Sequence, residues 1–204
     1  MKRLLPLVLV LALGCVAGAT DIYNNLNSVT NGSPDTVSPK AGPLADSFFT
    51  GNSSFTLAGI GLKLVDLGDP AGSFTIQLLS DNNIFPGNPI YTIATVSDTS
   101  LTDSLQNYFF DLATPQVLDP NTRYWIELST SDGSVAGWSW SIDQNAVGVA
   151  GEFFFNHGIV IPNANGPYQM ELSDQSLAIP EPATLLMLGT GLATALGGIR
   201  RKLS

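Results

Sequence analysis

Few side chains in this sequence have the type and spacing that a catalytic centre needs. His157 is the only histidine in the sequence, and it stands in Phe155-Asn156-His157-Gly158 at the predicted end of a strand. A serine nucleophile with a histidine base would have to use it, yet the sequence contains no Gly-x-Ser-x-Gly segment to present such a serine. We therefore interpret His157 as a structural or exposed turn residue and predict no catalytic residues of this kind.

Paired carboxylates are the remaining source of acid–base chemistry. The sequence has 17 Asp and Glu residues, and among them Glu127 is best placed on a defined strand, next to Tyr124-Trp125-Ile126. Two carboxyl groups that face each other across a cleft would suit glycoside hydrolysis. An ordinary outward-facing strand position is the preferred interpretation of Glu127. We predict that the protein is not an enzyme, and a secreted carbohydrate-active enzyme using Asp and Glu is the alternative.

Oxygen-rich segments offer ligands for calcium rather than for zinc. Zinc sites need histidine or cysteine ligands, and the one cysteine, Cys15, lies in a predicted signal peptide. The same Asp and Asn residues that suit Ca²⁺ are also favoured in turns, where they bond their own backbone. We predict no cofactor, and a structural Ca²⁺ or a Ca²⁺-dependent adhesin is kept as an alternative. The segments in question are Asp66-Leu67-Gly68-Asp69, Asp81-Asn82-Asn83 and Asp132-Gly133.

Two tryptophans form the candidate sugar-binding surface. Trp138 and Trp140 are two residues apart, so in a strand both indoles project from the same face. An outward face would be a platform on which sugar rings stack, whereas an inward face would be core, and core is the favoured interpretation. Tyr124 and Trp125 point to opposite faces of their strand, so we expect at least one of them to be exposed.

The elements that must hold these residues are short strands. Apolar, β-branched and aromatic runs alternate with Gly, Pro, Asn, Asp and Ser, and helical periodicity is almost absent. Nine such runs at this spacing predict an all-β fold, a single β-sandwich domain of the jelly-roll-like kind. The predicted strands are residues 46–50, 55–66, 73–80, 90–96, 108–112, 123–129, 135–142, 152–156 and 168–172.

Local patterns add detail to this prediction. In Leu62-Lys63-Leu64 the apolar side chains share one face and the lysine takes the other. Gly59 and Gly61 in the same strand indicate a bulge or a close backbone approach. Residues 69–72 and 85–89 contain Pro and Gly at spacings typical of turns. Residues 20–40 are predicted as a strand and a long loop, residues 161–167 as a loop, and residues 173–182 as a stalk.

The N-terminus has the pattern of a secretory signal peptide. Lys2 and Arg3 form a basic start, residues 4–16 are apolar, and Ala17-Gly18-Ala19 is a small-x-small cleavage site. We predict cleavage after Ala19, so that residues 1–19 are removed. The alternative is lipoprotein processing at Gly14-Cys15.

The C-terminus has the pattern of a membrane anchor. Residues 183–199 carry no charge and would form a helix about 25 Å long, near the short end of a bilayer span. The cluster Arg200, Arg201 and Lys202 follows, and basic flanks stay on the cytoplasmic side. The preceding Pro180-Glu181-Pro182 must then lie outside, which indicates an exported chain with a transmembrane sorting helix in residues 180–204.

This combination resembles the PEP-CTERM sorting signal of Gram-negative bacteria. The resemblance is carried by Pro180, Glu181 and Pro182, the short apolar helix and the terminal basic cluster. It implies recognition by a membrane-embedded exosortase, cleavage near Pro-Glu-Pro, and delivery to the cell envelope, the cell surface or an extracellular exopolysaccharide matrix. The physical pattern alone also fits a simple tail anchor with a proline-rich stalk.

The middle of the chain is similar to the choice-of-anchor extracellular domains, with choice-of-anchor R the closest in pattern. The resemblance covers roughly residues 23–155. It implies a β-sandwich that occurs with different sorting signals, and it brings no catalytic residues. The motifs that carry it are Ala45-Asp46-Ser47-Phe48-Phe49, Leu62-Lys63-Leu64, Phe74-Thr75-Ile76-Gln77-Leu78, Ser80-Asp81-Asn82 with Pro86-Gly87, and Tyr124-Trp125-Ile126-Glu127-Leu128.

Charge restricts the partners of the predicted domain, residues 20–179. Of the eight Lys and Arg residues only Lys40, Lys63 and Arg123 lie in it, against 16 acidic residues, for a net charge of about −13. Such a surface repels phosphate backbones, so nucleic acid is excluded as a partner. We predict an exported, non-catalytic surface or matrix protein, with an exosortase as a partner and weak glycan binding as a further expectation.

Overall fold

The computed structural model describes residues 19–68 and 72–177, and in these residues the chain is all-β. Two 3-10 turns, Asp98–Ser100 and Asn163–Asn165, interrupt the strands. No helix in the described ranges is long and apolar enough to cross a membrane. The strands are β1 (Asp21–Asn24), β2 (Asp35–Val37), β3 (Leu44–Phe49), β4 (Phe55–Asp66), β5 (Ser73–Asn82), β6 (Phe85–Ser97), β7 (Gln106–Leu118), β8 (Arg123–Ser129), β9 (Ala136–Trp138), β10 (Phe153–Asn156), β11 (Ile159–Pro162) and β12 (Met170–Ser173).

Several predicted sequence features lie outside the described residues. They are the signal peptide with Ala17, most of the predicted turn at residues 69–72, the sorting motif Pro180, Glu181 and Pro182, the apolar segment that follows it, and the basic cluster Arg200, Arg201 and Lys202. Of the predicted signal-cleavage residues, Ala19 is described and is exposed.

The strands form two sheets of six strands each. The first has the order β1-β12-β4-β9-β2, and β7 also pairs with β4. The second has the order β11-β10-β3-β8-β5-β6. Neighbouring strands are often distant in sequence, as where β1 pairs with β12 and β3 pairs with β8, so the fold depends on long-range pairing.

One buried apolar cluster joins the two sheets. It draws Leu57, Ile60 and Leu62 from β4 of the first sheet and Phe74 and Ile76 from β5 of the second. Because one face of each sheet is apolar, packing these faces together removes both from water. This arrangement is consistent with the predicted β-sandwich, and the jelly-roll strand order stays a prediction.

The predicted alternation in β4 is confirmed. Leu62 and Leu64 are fully buried, whereas Lys63 between them is half-buried. The glycines of this strand also act as expected. A bulge separates Leu57 from Gly59 in the pairing with β7, and a Cβ on Gly59 would lie 2.6 Å from the carbonyl oxygen of Gln175. Both the bulge and the close approach are therefore present.

The predicted turn at residues 85–89 is wrong, because these residues begin β6. The chain reverses earlier, at Asn83 and Ile84, between the paired residues Asn82 and Phe85. Asn83 has φ of 54° and Ile84 has φ of 67°, the positive values that a two-residue type I′ hairpin requires. The prolines are tolerated because β6 is an edge strand, where a missing N–H need not break the ladder.

The expected exposure of either Tyr124 or Trp125 is also wrong. Tyr124 is 7% exposed and faces the main core, whereas Trp125 on the opposite face has no exposed surface. A second small cluster covers Trp125, in which Ala45 and Leu79 are buried and Phe153 and Phe155 pack alongside. The hairpin of β10 and β11 extends the second sheet beyond β3. Its aromatic side chains pack on the outer face of this sheet, so that face is partly apolar as well.

Candidate functional site

An open cleft lies beside β1, between the segment that follows this strand and residues 143–147. The backbone N–H of Asn24 donates to the carbonyl oxygen of Val147 over 2.9 Å, which attaches the second segment to the first. The cleft has a volume of about 420 Å³. Its lining is Asp21, Asn24, Asn25, Asn27, Ser28, Asp143, Asn145, Ala146 and Val147.

The buried side chain of Gln169 supports one wall of this cleft, the turn that follows β1. Gln169 is fully buried, and its Nε2 donates to the carbonyl oxygens of Ser28 and Leu26 at 2.7 and 3.2 Å. Its Oε1 accepts hydrogen bonds from the hydroxyls of Ser139 and Thr30 at 2.6 and 2.7 Å. One side chain thus satisfies carbonyl oxygens of a turn that lies outside the strands.

Asn25 attaches the same turn to the sheet. Its Oδ1 accepts from the N–H of Met170 at 2.7 Å, and its Nδ2 donates to the carbonyl oxygen of Tyr168 at 3.0 Å. The backbone N–H of Asn25 also donates to the carbonyl oxygen of Met170. The side-chain amide therefore makes the hydrogen bonds that a neighbouring strand would otherwise make. In the sequence, the signal for this role is an Asn within an otherwise strand-like run, a pattern that does not specify which strand it will join.

Asp143 orders the opposite wall. Its carboxylate accepts from the hydroxyl of Ser28 at 2.8 Å and from the N–H of Asn145 at 3.0 Å. The bond from Ser28, together with that from Asn145, lowers the pKa of Asp143. The carboxylate is therefore ionised and bridges the two walls at neutral pH.

The groups left to a ligand in this cleft are amides and carboxylates. The side-chain amide of Asn145 is exposed and has no hydrogen-bond partner within the described part of the chain, and Asn27 uses only its Oδ1, which accepts from Asn107. Val147, 53% exposed, supplies an apolar wall. Amide and carboxylate groups beside an apolar surface can bind a ligand that carries several hydroxyl groups.

The fully buried carboxylate of Asp46, on β3, does not line this cleft. It accepts hydrogen bonds from the N–H of Tyr168 at 2.6 Å and from Asn163 Nδ2 at 3.1 Å, with the Tyr23 hydroxyl 3.4 Å away. Complete burial raises the pKa of Asp46 despite these donors. The Asp46 carboxylate thus joins β3 to β1 and to the segment just before β12, which is a structural role.

Glu152 is also buried and held internally. Its Oε2 accepts from Arg123 Nε and from the Ser47 hydroxyl, both at 2.7 Å, and its Oε1 accepts from Arg123 Nη2 at 3.2 Å. The guanidinium carbon of Arg123 lies 5.0 Å from the ring centroid of Phe153. This group fixes the start of β10 against β3 and β8.

Asp98, at the start of the first 3-10 turn, is a third buried acid with an internal partner. Its two carboxylate oxygens accept from the backbone N–H of Gly72 at 3.0 and 2.9 Å. The backbone N–H of Asp98 in turn donates to the carbonyl oxygen of Gly72. This pair of contacts attaches the end of β6 to the residue before β5, which is again a structural role.

Glu127, the acid suggested by the sequence, lies half-buried on β8. It is in register with Ala45 of β3 and Gln77 of β5. Burial raises its pKa. Glu171 on β12 also has a raised pKa, first through burial and then through the charge of Asp21.

In the three segments with possible calcium ligands, the described carboxylates accept hydrogen bonds from within the protein, and Asp69 lies outside the described residues. Asp66 accepts from the N–H of Gly68, and Asp81 accepts from Trp125 Nε1 at 2.9 Å. Asp132 accepts from the N–H and hydroxyl of Ser73 and from the N–H of Ser134. Within residues 19–68 and 72–177 no group of three or more His, Cys, Asp or Glu side chains is arranged to hold a metal ion.

The two tryptophans considered for sugar stacking are placed differently. Trp138 has no exposed surface: its ring stacks on Tyr168 with a centroid distance of 4.7 Å, and its Nε1 donates to the carbonyl oxygen of Gln169. It therefore offers no face to a ligand. Trp140 is half-buried, and Cβ atoms on Gly32 or Gly166 would come within 2.8 and 2.7 Å of its ring. Its Nε1 donates to the carbonyl oxygen of Ser33.

His157 lies in the turn between β10 and β11. It has φ of 48° and is exposed, and its ring Nε2 is 2.8 Å from the carbonyl oxygen of Thr36. The partner is a backbone carbonyl on β2, so the ring attaches the β10–β11 hairpin to the other sheet.

Comparison with known proteins identifies the end of the chain. The PEP-CTERM protein-sorting motif matches residues 178–202, which contain both the Pro-Glu-Pro triplet and the basic cluster. A search among characterised proteins found no match to the chain. The motif marks the chain as an exported protein that an exosortase processes at the cell envelope or surface.

Proposed function

We propose that the protein is a non-catalytic component of the cell surface or of the exopolysaccharide matrix, and that its β-sandwich binds neutral polysaccharide weakly. The observation that carries this proposal is the open cleft lined by Asn and Asp side chains beside β1. The cleft replaces the tryptophan pair as the proposed glycan site, since Trp138 is buried.

The lining chemistry favours a neutral glycan over an anionic one. Asp21 and Asp143 place two carboxylates at the cleft, within a domain whose net charge is about −13. These groups repel uronate or phosphate and accept hydrogen bonds from sugar hydroxyls. The free amide of Asn145 can donate and accept at the same time. Because the cleft is open and buries little of a ligand, we expect dissociation constants in the millimolar range or just below.

A non-catalytic role is supported by the placement of the carboxylates. The buried acids Asp46, Asp98 and Glu152 are occupied by internal hydrogen bonds or an ion pair. Glu127 is half-buried in the middle of its sheet, between strands β3 and β5. Glycoside hydrolysis would instead need one carboxyl group that protonates the glycosidic oxygen and a second that attacks the anomeric carbon or activates a water. The two carboxylates of the cleft also have internal donors: Asp21 accepts from Asn24 Nδ2, and Asp143 accepts from the Ser28 hydroxyl and the N–H of Asn145.

A choice-of-anchor R-like domain is part of the proposal. Its support is that the segments carrying the resemblance form central strands: β3 and β8 are neighbours in one sheet, and β4 lies at the centre of the other. Such a domain would be delivered by the exosortase of a Gram-negative bacterium and retained in its matrix. β1 and β12 are paired neighbours, so both ends of the domain emerge at one edge of the first sheet.

Affinity electrophoresis of the exported protein tests the glycan proposal. Native gels would contain a neutral glucan, mannan or xylan, or the polyanion alginate as comparison. We expect retardation by at least one neutral polymer and none by alginate. The Asn27→Ala/Asn145→Ala double variant should lose most of the retardation.

The matched control is Asn52→Ala, which changes an exposed Asn that lies outside the cleft. It should migrate as the unsubstituted protein does in every gel. Absence of retardation in all neutral polymers, or an equal loss in the Asn52 variant, would refute glycan binding at the cleft.

A further inference from the structure

The first and last described segments of the domain meet in a pair of reciprocal hydrogen bonds. The backbone nitrogen of Thr20 donates to Asp174 Oδ1 over 2.8 Å. The backbone N–H of Asp174 in turn donates to the carbonyl oxygen of Thr20 over 3.2 Å. A carboxylate 154 residues away in sequence is thus directed at the nitrogen of the residue that follows Ala19.

We propose that proteolytic removal of residues 1–19 creates an ion pair between the new α-ammonium group of Thr20 and the carboxylate of Asp174. Hydrolysis adds one water across the Ala19–Thr20 amide bond. Ala19 leaves with a new carboxylate, and the nitrogen of Thr20 becomes a primary amine that is protonated to the ammonium at neutral pH. The nitrogen that donates as a neutral amide in the precursor thereby gains a full positive charge in the mature chain.

Several observations favour this bond as the maturation site. Ala19 and Thr20 are both exposed, so a charged terminus created between them stays in contact with water. Thr20 precedes the first strand directly, so cleavage there leaves β1 intact. Lipoprotein processing at Cys15 would instead leave five further residues before Thr20, and its nitrogen would stay a neutral amide. The two modes of processing therefore differ in a charge at one defined atom.

The new charge matters because the domain holds few cations. Lys40, Lys63 and Arg123 are the basic residues of residues 20–177, and Arg123 is committed to Glu152. Asp174 directly follows β12 and lies four residues before the sorting motif begins at residue 178. An ammonium on Thr20 therefore strengthens the attachment of the segment that leads into the sorting motif. Removal of residues 1–19 would therefore affect how firmly the segment before the sorting motif is held.

The pair has a specific pH dependence. An α-amino group titrates near pH 8 in the unfolded chain, and a carboxylate partner raises its pKa in the folded state. The stabilisation is therefore fully present below about pH 7.5 and is lost as the pH rises above the folded value. The titratable groups near this pair include Asp21 on β1, Glu171 on β12 and Asp111 on β7, which accepts from the N–H of Leu177. All three are acids and cannot supply a positive charge.

The experiment uses the exported chain as it is recovered, after its N-terminal residue has been identified by sequencing. One half is acetylated selectively at the α-amine near pH 6.5, and the melting temperatures of both halves are compared at pH 6 and pH 10. We expect the free amine to melt about 2 °C higher at pH 6, with no difference at pH 10. In the Asp174→Asn variant the difference should be absent at both pH values.

Asp103→Asn is the matched control, because Asp103 is exposed and lies in another part of the domain. It should keep the full difference between free and acetylated chains. An N-terminus other than Thr20, or an equal melting temperature of free and acetylated chains at pH 6, would overturn the proposal. The inference rests on export of the chain and not on glycan binding, so either can fail without the other.

Discussion

Arg123 and Glu152 form a two-pronged ion pair, with Nε 2.7 Å from Oε2 and Nη2 3.2 Å from Oε1. The Glu152 side chain is 6% exposed and that of Arg123 is 22% exposed, so the carboxylate of the pair is almost completely removed from water. The Ser47 hydroxyl donates to the same carboxylate and accepts from the N–H of Phe153 at 2.9 Å. The ion pair thus belongs to a network that links β3, β8 and β10.

Replacing Arg123 by Gln should destabilise the domain by roughly 3 kcal/mol, because it leaves the buried carboxylate of Glu152 without its counter-charge. Urea unfolding measures the change as a lower midpoint with an unchanged slope. Lys40→Gln is the control, since Lys40 is exposed, and it should shift the midpoint very little. Equal midpoints for the two variants would show that the ion pair contributes nothing to stability.

Replacing Gln169 by Leu should both destabilise the domain and weaken ligand binding at the cleft. The buried amide satisfies the carbonyl oxygens of Leu26 and Ser28, and Leu cannot donate to either. We expect a loss of about 3 kcal/mol in the free energy of unfolding, from two unsatisfied acceptors. Retardation in the neutral-polysaccharide gel should fall as well.

Gln77→Leu is the control for this effect. Gln77 makes one side-chain hydrogen bond, at 3.2 Å to Thr92 on the neighbouring strand, and lies outside the cleft. It should keep the gel retardation and lose less than about 1 kcal/mol. If Gln169→Leu keeps full retardation while it is destabilised, Gln169 does not position the cleft.

The strands of the fold were predictable where polar and apolar residues alternate. The bounds predicted for β4 and β8 coincide with the structure. The burial of Leu62 and Leu64 beside the half-buried Lys63 follows from the same alternation. Period-two patterns report one strand at a time, however, so they contain no information on which strands become neighbours.

The cleft could not be predicted, because its walls depend on that missing information. Asn24 and Asn145 lie in distant segments, and Gln169 reaches the first wall from yet another part of the chain. In the sequence an Asn such as Asn25 is typical of a turn. That its side chain accepts from the N–H of Met170, as a neighbouring strand would, becomes visible only when β12 lies beside it. Similarly, the burial of Trp125 depends on the β10–β11 hairpin, whose position no pattern within β8 reports.

Asp132 should make stability depend on pH in the acid range. Hydrogen bonds from the N–H groups of Ser134 and Ser73 and from the Ser73 hydroxyl lower its pKa from 3.8 to about 2. A folded-state pKa below the unfolded one stabilises the fold above about pH 4, and this stabilisation is lost as the pH falls towards about 2. Asp132→Asn should therefore melt below the unsubstituted protein at pH 6, and the gap should close between pH 4 and pH 2.

Asp103→Asn, in the same measurement, should show no such gap at any pH. A gap for Asp132→Asn that stays constant from pH 6 to pH 2 would mean that the ionised form has no special role. The expected sign follows from the donors, since all of them are N–H or O–H groups that favour the carboxylate over the protonated acid.

Processing at the sorting motif gives a prediction about mass and location. If Glu181 is needed for recognition by the exosortase, Glu181→Ala should accumulate as a larger species retained in the membrane fraction. Asp103→Ala, which removes an acidic residue outside the motif, should be processed and located normally. Intact mass of each cell fraction measures both outcomes. Normal mass and location for Glu181→Ala would instead favour the simple tail anchor.

Ile84 should be a site where glycine stabilises the domain. Its φ of 67° places a β-branched residue in the left-handed region, at the second position of the β5–β6 hairpin turn. That conformation costs roughly 1 to 2 kcal/mol for a residue with a Cβ, and glycine avoids most of this cost while losing some entropy on folding. Ile84→Gly also places a glycine directly after Asn83, and an Asn-Gly pair is the one that type I′ turns favour most.

We expect Ile84→Gly to raise the free energy of unfolding by about 1 kcal/mol, measured by urea unfolding. Ile90→Gly is the matched control, because Ile90 lies on β6 with 46% exposure against 38% for Ile84. Its φ is not positive, so glycine there only loosens an ordinary strand and should cost about 1 kcal/mol. Destabilisation by both substitutions would show that packing of the Ile84 side chain outweighs the strain in its backbone, and that the hairpin is fixed by β5–β6 pairing rather than by its turn.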